Sequence, residues 1–115
     1  MIASFAGSGQ TANGNVTVTD SVKASCADLF ANRHATFGGS LTFAPGATFT
    51  ITDPENLDAY KNHSSVTAFT AASVNGTPTL RIADGYTGST KWTLFKSGAE
   101  SYNFGPVIGT MILLR

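Results

Sequence analysis

The stretch SLTFAPGATFTIT, residues 40–52, carries the pattern that decides the fold class. Apolar residues occupy every second position on both sides of a central Pro45-Gly46 pair, and most residues between them are threonines. These apolar residues are Leu41, Phe43, Phe49 and Ile51. A period of two places them on one face of a β strand, with the threonines on the other face. The stretch therefore predicts two strands around a turn in an all-β domain.

The Pro45-Gly46 corner is compatible with two architectures. In one, the flanking strands form a hairpin and pair with each other; in the other, the corner belongs to a solenoid and its strands pair with neighbouring coils. Pro45 cannot donate a backbone hydrogen bond to a ladder, and Pro-Gly favours a type II bend that splays the flanking strands. The corner therefore favours the solenoid, with the hairpin left open.

The same alternation begins at Asn15 and returns in later segments, with turn signals recurring about every 10 to 15 residues. The later predicted strands cover residues 66–71, 79–83, 91–96 and 110–114. In TDPENLDAYK, Asp53 stands at a cap position before Pro54, and Leu57 and Tyr60 share a face, which predicts one or two helical turns. Residues 20–34 fit a short helix and an irregular strand equally well.

Length and composition bound the class of protein. The chain has 115 residues, enough for one domain, and only 12% of them are charged, about half the usual share. Its zero formal charge argues against a nucleic-acid partner, and no apolar run approaches the ~20 residues of a membrane span. We expect residues 1–13 to be a flexible or non-native N-terminal segment and residues 14–115 to form a single β domain.

Three segments together resemble a known family: GGSLTFAPGATFTI, SSVTAFTAASVNGTPTLRI and KWTLFKSGAESYNFGPVIGTMILLR. They are similar to the end of the passenger region in autotransporter-like secreted bacterial proteins with autotransporter-associated β-strand repeats. The likeness covers roughly residues 38–115, and residues 53–62 interrupt it; we expect neither a translocator barrel nor a sorting tail within these residues. The resemblance implies a right-handed parallel β-helix, or its C-terminal cap, displayed outside the bacterial cell. An antiparallel β-sandwich or jelly roll is the alternative.

Candidate catalytic groups all have simpler structural explanations. The carboxylates mostly lie at predicted turns or caps rather than in convergent pairs, and His34 and His63 lack the spacing of metal ligands. Cys26, with His34 as base and Asp28 to orient it, is a conceivable nucleophile, but a lone cysteine among apolar neighbours is usually a small core residue. We therefore predict no enzyme activity, no catalytic or metal-binding residues and no cofactor.

Aromatic side chains are the remaining candidates for ligand binding, because they stack on the apolar faces of sugar rings. Trp92 alternates with Leu94 on one strand face, which indicates a core residue, and Tyr60 belongs to the predicted helical turn. Tyr86 in the loop DGYTGS and Tyr102 are the predicted ligand-binding residues.

The leading functional hypothesis is a non-catalytic structural or adhesive surface module. It would associate through strand edges or ends with neighbouring β coils of its parent protein or with copies of itself, and the apolar run 111–114 would cover one end or join a second subunit. The alternative is a carbohydrate-binding β-sandwich module with glycans as partners. Either function implies an extracellular or cell-surface location in bacteria.

Overall fold

The structure is a computed structural model that describes residues 2–6, 11–98 and 100–107, the first two strands by their backbone only. The strands within this part of the chain are β1 (Ile2–Ala6), β2 (Thr11–Ala12), β3 (Val16–Ala24), β4 (Ala35–Phe37), β5 (Ser40–Phe43), β6 (Thr48–Ile51), β7 (Val66–Thr70), β8 (Ser73–Asn75), β9 (Thr79–Ile82), β10 (Trp92–Lys96) and β11 (Ser101–Pro106). The helices are α1 (Cys26–Phe30) and a 3-10 helix (Pro54–Tyr60). The predicted strand 110–114 and the apolar run 111–114 lie outside the described residues.

The strands form two sheets. Sheet A is wholly parallel, with the order β8-β5-β3-β6-β9 and β1 paired to β3. Sheet B has the order β10-β11-β7-β4-β2; its β2, β4 and β7 are parallel, while β11 runs antiparallel to both β7 and β10. The all-β class predicted from the sequence is confirmed.

The predicted right-handed parallel β-helix, or cap of one, is wrong. The described strands close into two sheets of a compact body measuring 38 × 32 × 26 Å, and sheet B ends in an antiparallel hairpin. The alternative antiparallel sandwich or jelly roll is also wrong, because seven of the nine pairings between described strands are parallel. Period-two hydrophobicity determines which side chains face inward, but it does not determine which strands become neighbours.

The Pro45-Gly46 corner does not close a hairpin. Strands β5 and β6, which flank it, each pair in parallel with β3: β5 pairs with residues 16–18 and β6 with residues 21–24. Gly46 has φ +86°, a left-handed conformation that glycine adopts without steric cost. The chain therefore turns sharply between two strands that share one neighbour.

Parallel register stacks the inward apolar residues of sheet A in columns. Val22, Phe49 and Leu80 are register partners on successive strands. Phe69 of sheet B meets this face, with its ring 5.6 Å from the rings of both Phe43 and Phe49. Full burial of a phenylalanine of this kind contributes roughly 2 to 3 kcal/mol to folding. The two sheets thus share one core, and the inward-facing residues predicted within residues 40–52 are buried in it.

The connections between the sheets differ at the two ends of the molecule. Among the connections that the structure describes, the chain passes from sheet A to sheet B through α1, the 3-10 helix and residues 83–91, and we call these three connections the long-connection end. It returns from sheet B to sheet A through residues 13–15, 38–39 and 71–72, which we call the tight-turn end. Because the strands of sheet A are parallel, all three long connections lie at the same end of the sheet.

Most predicted elements correspond to described ones. The predicted helical turn is the 3-10 helix Pro54–Tyr60. Residues 20–34 divide between the end of β3 and α1, so the strand interpretation holds for the first part of this segment and the helix interpretation for the second. Strands β1, β2, β4, β8 and β11 were not predicted. In the described part of the chain, neither helix has the length and apolar character needed to span a bilayer.

Candidate functional site

An aromatic cluster occupies the long-connection end. It consists of Phe30, Tyr60, His63, Trp92 and Phe104. Phe30 is at its centre: its ring stacks on Tyr60 with centroids 4.5 Å apart and an interplanar angle of 4°, and it meets the other three rings edge-on at 5.4 to 6.4 Å. Trp92 in turn stacks on Phe104 at 5.4 Å. Offset-stacked and edge-to-face pairs of this kind are favourable beyond their burial, by about 1 kcal/mol each.

Local structure explains how these rings meet. In a 3-10 helix, residues three apart lie on the same face, so Leu57 and Tyr60 both point toward the core, as the sequence predicted. Leu57 is fully buried, while Tyr60, at the end of the helix, is half-buried. Phe30 is the last residue of α1, and it also follows a buried leucine, Leu29. Each helix therefore anchors itself with a leucine and presents an aromatic ring at its end.

Exposure increases from the sheet toward the solvent across the cluster. Phe104 is buried, while Trp92, Phe30 and Tyr60 are half-buried, and the His63 side chain is exposed. The Tyr60 hydroxyl and the His63 imidazole have no hydrogen-bond partner among the described residues. The outer part of the cluster is thus an aromatic surface with polar groups at its margin.

Tyr86 lies beside this cluster, and its hydroxyl organises the third long connection. Trp92 donates a hydrogen bond from Nε1 to the Tyr86 hydroxyl at 3.1 Å, and that hydroxyl donates to the Thr90 carbonyl at 3.2 Å. Tyr86 is half-buried. The Trp92 ring is fixed from both sides, because it also stacks on Phe104.

The second predicted ligand-binding residue, Tyr102, is located elsewhere. Its side chain is 5% exposed and its ring stacks on Phe69 at 5.1 Å, in the core between the sheets. The structure therefore does not bring Tyr102 together with Tyr86 at a surface. Tyr102 belongs to β11, a strand that was not predicted, and the inward face of this strand was consequently not recognised.

Asp53 ties the two helices of the long-connection end together. Its carboxylate accepts hydrogen bonds from the Cys26 backbone N–H at 2.7 Å, the Ser25 hydroxyl at 2.7 Å, the Asn56 amide at 2.9 Å and the Ala27 backbone N–H at 3.3 Å. Burial alone would raise the pKa of Asp53, but these four hydrogen bonds lower it below its ordinary value of 3.8. The carboxylate is thus held ionised at the N-terminus of α1, where a negative charge is favourable.

The predicted role of Asp53 as a cap of its own helix is therefore wrong in one respect. The Asp53 side chain makes no capping hydrogen bond to the backbone of the 3-10 helix. It binds instead the first N–H groups of α1, which lies about 27 residues earlier in the chain. We name this arrangement the Asp53 clamp, meaning Asp53 with Ser25, Cys26, Ala27 and Asn56. By fixing α1 against the 3-10 helix, it sets the position of Phe30 relative to Tyr60.

The residues considered for nucleophilic catalysis do not form a catalytic arrangement. The Cys26 thiol is buried and donates to the Asp53 backbone carbonyl at 3.7 Å. Asp28 forms an ion pair with Arg33 at 3.9 Å. His34 Nδ1 is buried without a hydrogen-bond partner. No hydrogen bond links these three side chains to one another in the described part of the chain.

Three of the five rings in the cluster, Phe30, His63 and Phe104, were missed as site residues. A signal was nevertheless present in the sequence, because each of the three long connections contains an aromatic residue: Phe30, Tyr60 and Tyr86. Reading that signal requires knowledge of which connections lie side by side. For metals, the described residues contain no group of three or more His, Cys, Asp or Glu that could hold an ion.

Comparison with known proteins adds no identification. No family model, curated protein or solved structure matches this chain. The resemblance to autotransporter-like secreted proteins therefore stays a prediction.

Proposed function

We propose that the chain is a non-catalytic adhesive module that binds glycans at the aromatic cluster. The observation that supports this is the stack of Phe30 and Tyr60, with both rings half-buried and the His63 side chain exposed beside them. A pyranose ring has an apolar face that packs on an aromatic ring, while its hydroxyls bind polar groups at the margin. Tyr60 is the outer member of the stack and is the proposed contact for the sugar.

The net charge of the chain argues against a polyanionic ligand. Seven lysines and arginines balance seven aspartates and glutamates, so no long-range field draws the chain to a polyanion. Binding would depend instead on contact area and local hydrogen bonds, as expected for a sugar. An adhesive role also requires display outside the cell, so an extracellular or cell-surface location in bacteria is part of the proposal.

The test is a glycan array followed by titration calorimetry on the best ligand. We expect saturable binding by the wild-type chain and a loss of at least about tenfold in affinity for Tyr60→Ala, equivalent to roughly 1.4 kcal/mol. Phe95→Ala is the matched control, because Phe95 is 40% exposed on β10 and does not belong to the cluster. An array without any bound glycan, or an equal loss in both variants, would contradict the proposal.

A second candidate function is association through a sheet edge, and β1 supports it. Strand β1 pairs in parallel with β3 on one side, and no other described strand pairs with it. The outer edge of such a strand presents backbone N–H and C=O groups that can bind a further strand. We propose that this edge joins neighbouring strands, either of a longer parent chain or of a second copy.

Two proline variants test the association. The N–H groups of adjacent residues in a strand point to opposite sides. One of the two variants Ser4→Pro and Phe5→Pro therefore removes an N–H donor that points toward β3, and the other removes an N–H donor on the outer edge. We expect one variant to lower the unfolding temperature and the other to lower the self-association measured by sedimentation velocity. A wild-type chain that stays monomeric at every concentration would exclude association between copies.

A further inference from the structure

Two oxygen atoms face each other across Gly88 at the margin of the aromatic cluster. A Cβ atom built on Gly88 would lie 2.5 Å from the Tyr86 hydroxyl and 2.8 Å from Asp58 Oδ1. The absence of a side chain at Gly88 thus allows residues 84–91 to approach the 3-10 helix, and this approach brings the carboxylate and the phenol to one place. Trp92, which binds the same hydroxyl, connects this place to Phe30 and the rest of the cluster.

The hydrogen-bonding capacity of these two groups is asymmetric. The Tyr86 hydroxyl already uses its single proton on Thr90 and one lone pair on Trp92, so it can only accept one further hydrogen bond. The exposed Asp58 carboxylate has no side-chain partner among the described residues and is an acceptor when ionised. Lys61, three residues later, forms no ion pair with it in that part of the chain. Asp58 and Tyr86 themselves therefore offer acceptors and no free donor.

This asymmetry indicates which sugars the cluster would take. We infer that Asp58 and Tyr86 select sugars with adjacent hydrogen-bond donors, hydroxyl or amino groups, and reject sugars that carry a carboxylate or sulfate at that position. The inference rests on the proposed glycan binding and adds its specificity. An amino sugar should bind most tightly, because its ammonium group pairs with Asp58. A uronic acid should bind least tightly, because its carboxylate lies against that of Asp58 and neither carboxylate has a hydrogen-bond donor.

The experiment compares three β-1,4-linked tetrasaccharides, of glucosamine, glucose and glucuronate, by calorimetry at pH 6 and low salt. We expect the wild-type chain to bind the glucosamine oligomer at least tenfold more tightly than the glucuronate oligomer, with glucose between them. Asp58→Asn keeps the shape of the side chain and removes its charge, and it should reduce this ratio to less than threefold. Glu55→Gln, an exposed charge removal in the first turn of the same 3-10 helix, is the matched control and should leave the ratio unchanged.

The outcomes separate this inference from the proposal on which it rests. If the wild-type chain binds glycans but none of its preference depends on Asp58, the inference is overturned and glycan binding stands. If Asp58→Asn weakens all three oligomers equally, Asp58 has a purely structural role and the inference is again overturned. If the wild-type chain binds no oligomer and no glycan on the array, the proposed function itself fails. Equal unfolding temperatures for the variants would show that each result concerns binding.

Discussion

The two ends of the sheets are held together by different means. At the tight-turn end the contacts are hydrogen bonds donated by backbone N–H groups: Ala72 N–H donates to the Gly39 carbonyl at 3.0 Å, and Ser40 N–H donates to the Asn15 side chain at 2.9 Å. At the long-connection end the contacts are made by side chains, through the Asp53 clamp and the aromatic cluster. The same parallel strands thus end in two chemically distinct surfaces.

The difference indicates where function can develop. The close approach of Gly39 to Gly14 leaves no room for a side chain at position 39, so we expect the tight-turn end to contribute mainly to stability. The long connections hold two helices and several aromatic rings, and segments of this kind usually carry binding residues on a rigid framework. We therefore expect substitutions at the tight-turn end to affect folding and substitutions at the aromatic cluster to affect binding.

The largest expected effect is on folding, for Gly39→Ala at the tight-turn end. A Cβ atom at this position would lie 2.5 Å from the Gly14 carbonyl carbon and oxygen, and backbone cannot move aside as a flexible side chain does. Overpacking of this kind costs about 3 kcal/mol, which urea unfolding followed by circular dichroism would measure.

Gly46→Ala is the control for Gly39→Ala. Its added Cβ atom would meet nothing within 4 Å, and only the positive φ of +86° opposes it. A left-handed conformation costs a non-glycine residue about 1 kcal/mol. If both variants lost the same stability, the close approach of Gly39 to Gly14 would not be the cause.

A smaller effect is expected for Asp53→Asn at the long-connection end. The amide retains one acceptor oxygen but brings an NH₂ group toward N–H donors of α1, which leaves buried donors without partners. We expect the free energy of unfolding to fall by about 2 kcal/mol at pH 7. Asp84→Asn, a change at an exposed turn residue, should cost less than about 0.5 kcal/mol in the same urea titration.

The pH dependence of that loss has a definite sign. Because the pKa of folded Asp53 lies below its ordinary value of 3.8, the carboxylate stabilises the fold fully above pH 3.8. The stabilisation is lost as the pH falls through the lower, folded pKa. The difference between wild type and Asp53→Asn should therefore be constant from pH 7 to about pH 5 and shrink below pH 4. A difference that stays constant down to pH 2 would show that charge is not involved.

Much of the core could be predicted from the sequence, but the neighbours of each strand could not. The alternation around Pro45-Gly46 correctly identified Phe43, Phe49 and Ile51 as inward residues, since period two is a local property. Strand β11 shows the same alternation at Tyr102 and Phe104, but the Gly105-Pro106 pair was interpreted as a separate turn, whereas β11 extends through it to Pro106. Strands β4 and β8 have three residues each, too few for a period to be visible.

The candidate site was less predictable, because its contacts join residues that are far apart in the chain. Asp53 has every feature of a local helix cap, yet its carboxylate binds a helix about 27 residues earlier. Phe30 and Tyr60 stack only because their connections lie side by side above parallel strands. A local motif cannot show such a contact. Tyr86 was correctly placed in a loop, because that loop is marked by glycines and an aspartate, which are local signals.

The smallest expected effect concerns the reactivity of the Cys26 thiol, whose pKa is subject to two opposing influences. A cysteine at a helix N-terminus usually has a lowered pKa, and the backbone N–H groups of Cys26 and Ala27 act in that direction. Burial of the thiol has the opposite effect, as do the charge of Asp53 and the hydrogen bond from the thiol to Asp53. Together these three influences raise the pKa of the thiol to about 12.

We therefore expect the Cys26 thiol of the native protein to show no detectable reaction with Ellman's reagent at pH 8, and one equivalent to react in urea. Asp53→Asn should increase the rate of this reaction in the native protein, because a weaker Asp53 clamp lets α1 open more often. A rapid reaction of the wild-type thiol would contradict this account, since it would mean that the helix N-terminus, rather than burial and Asp53, determines the reactivity of Cys26.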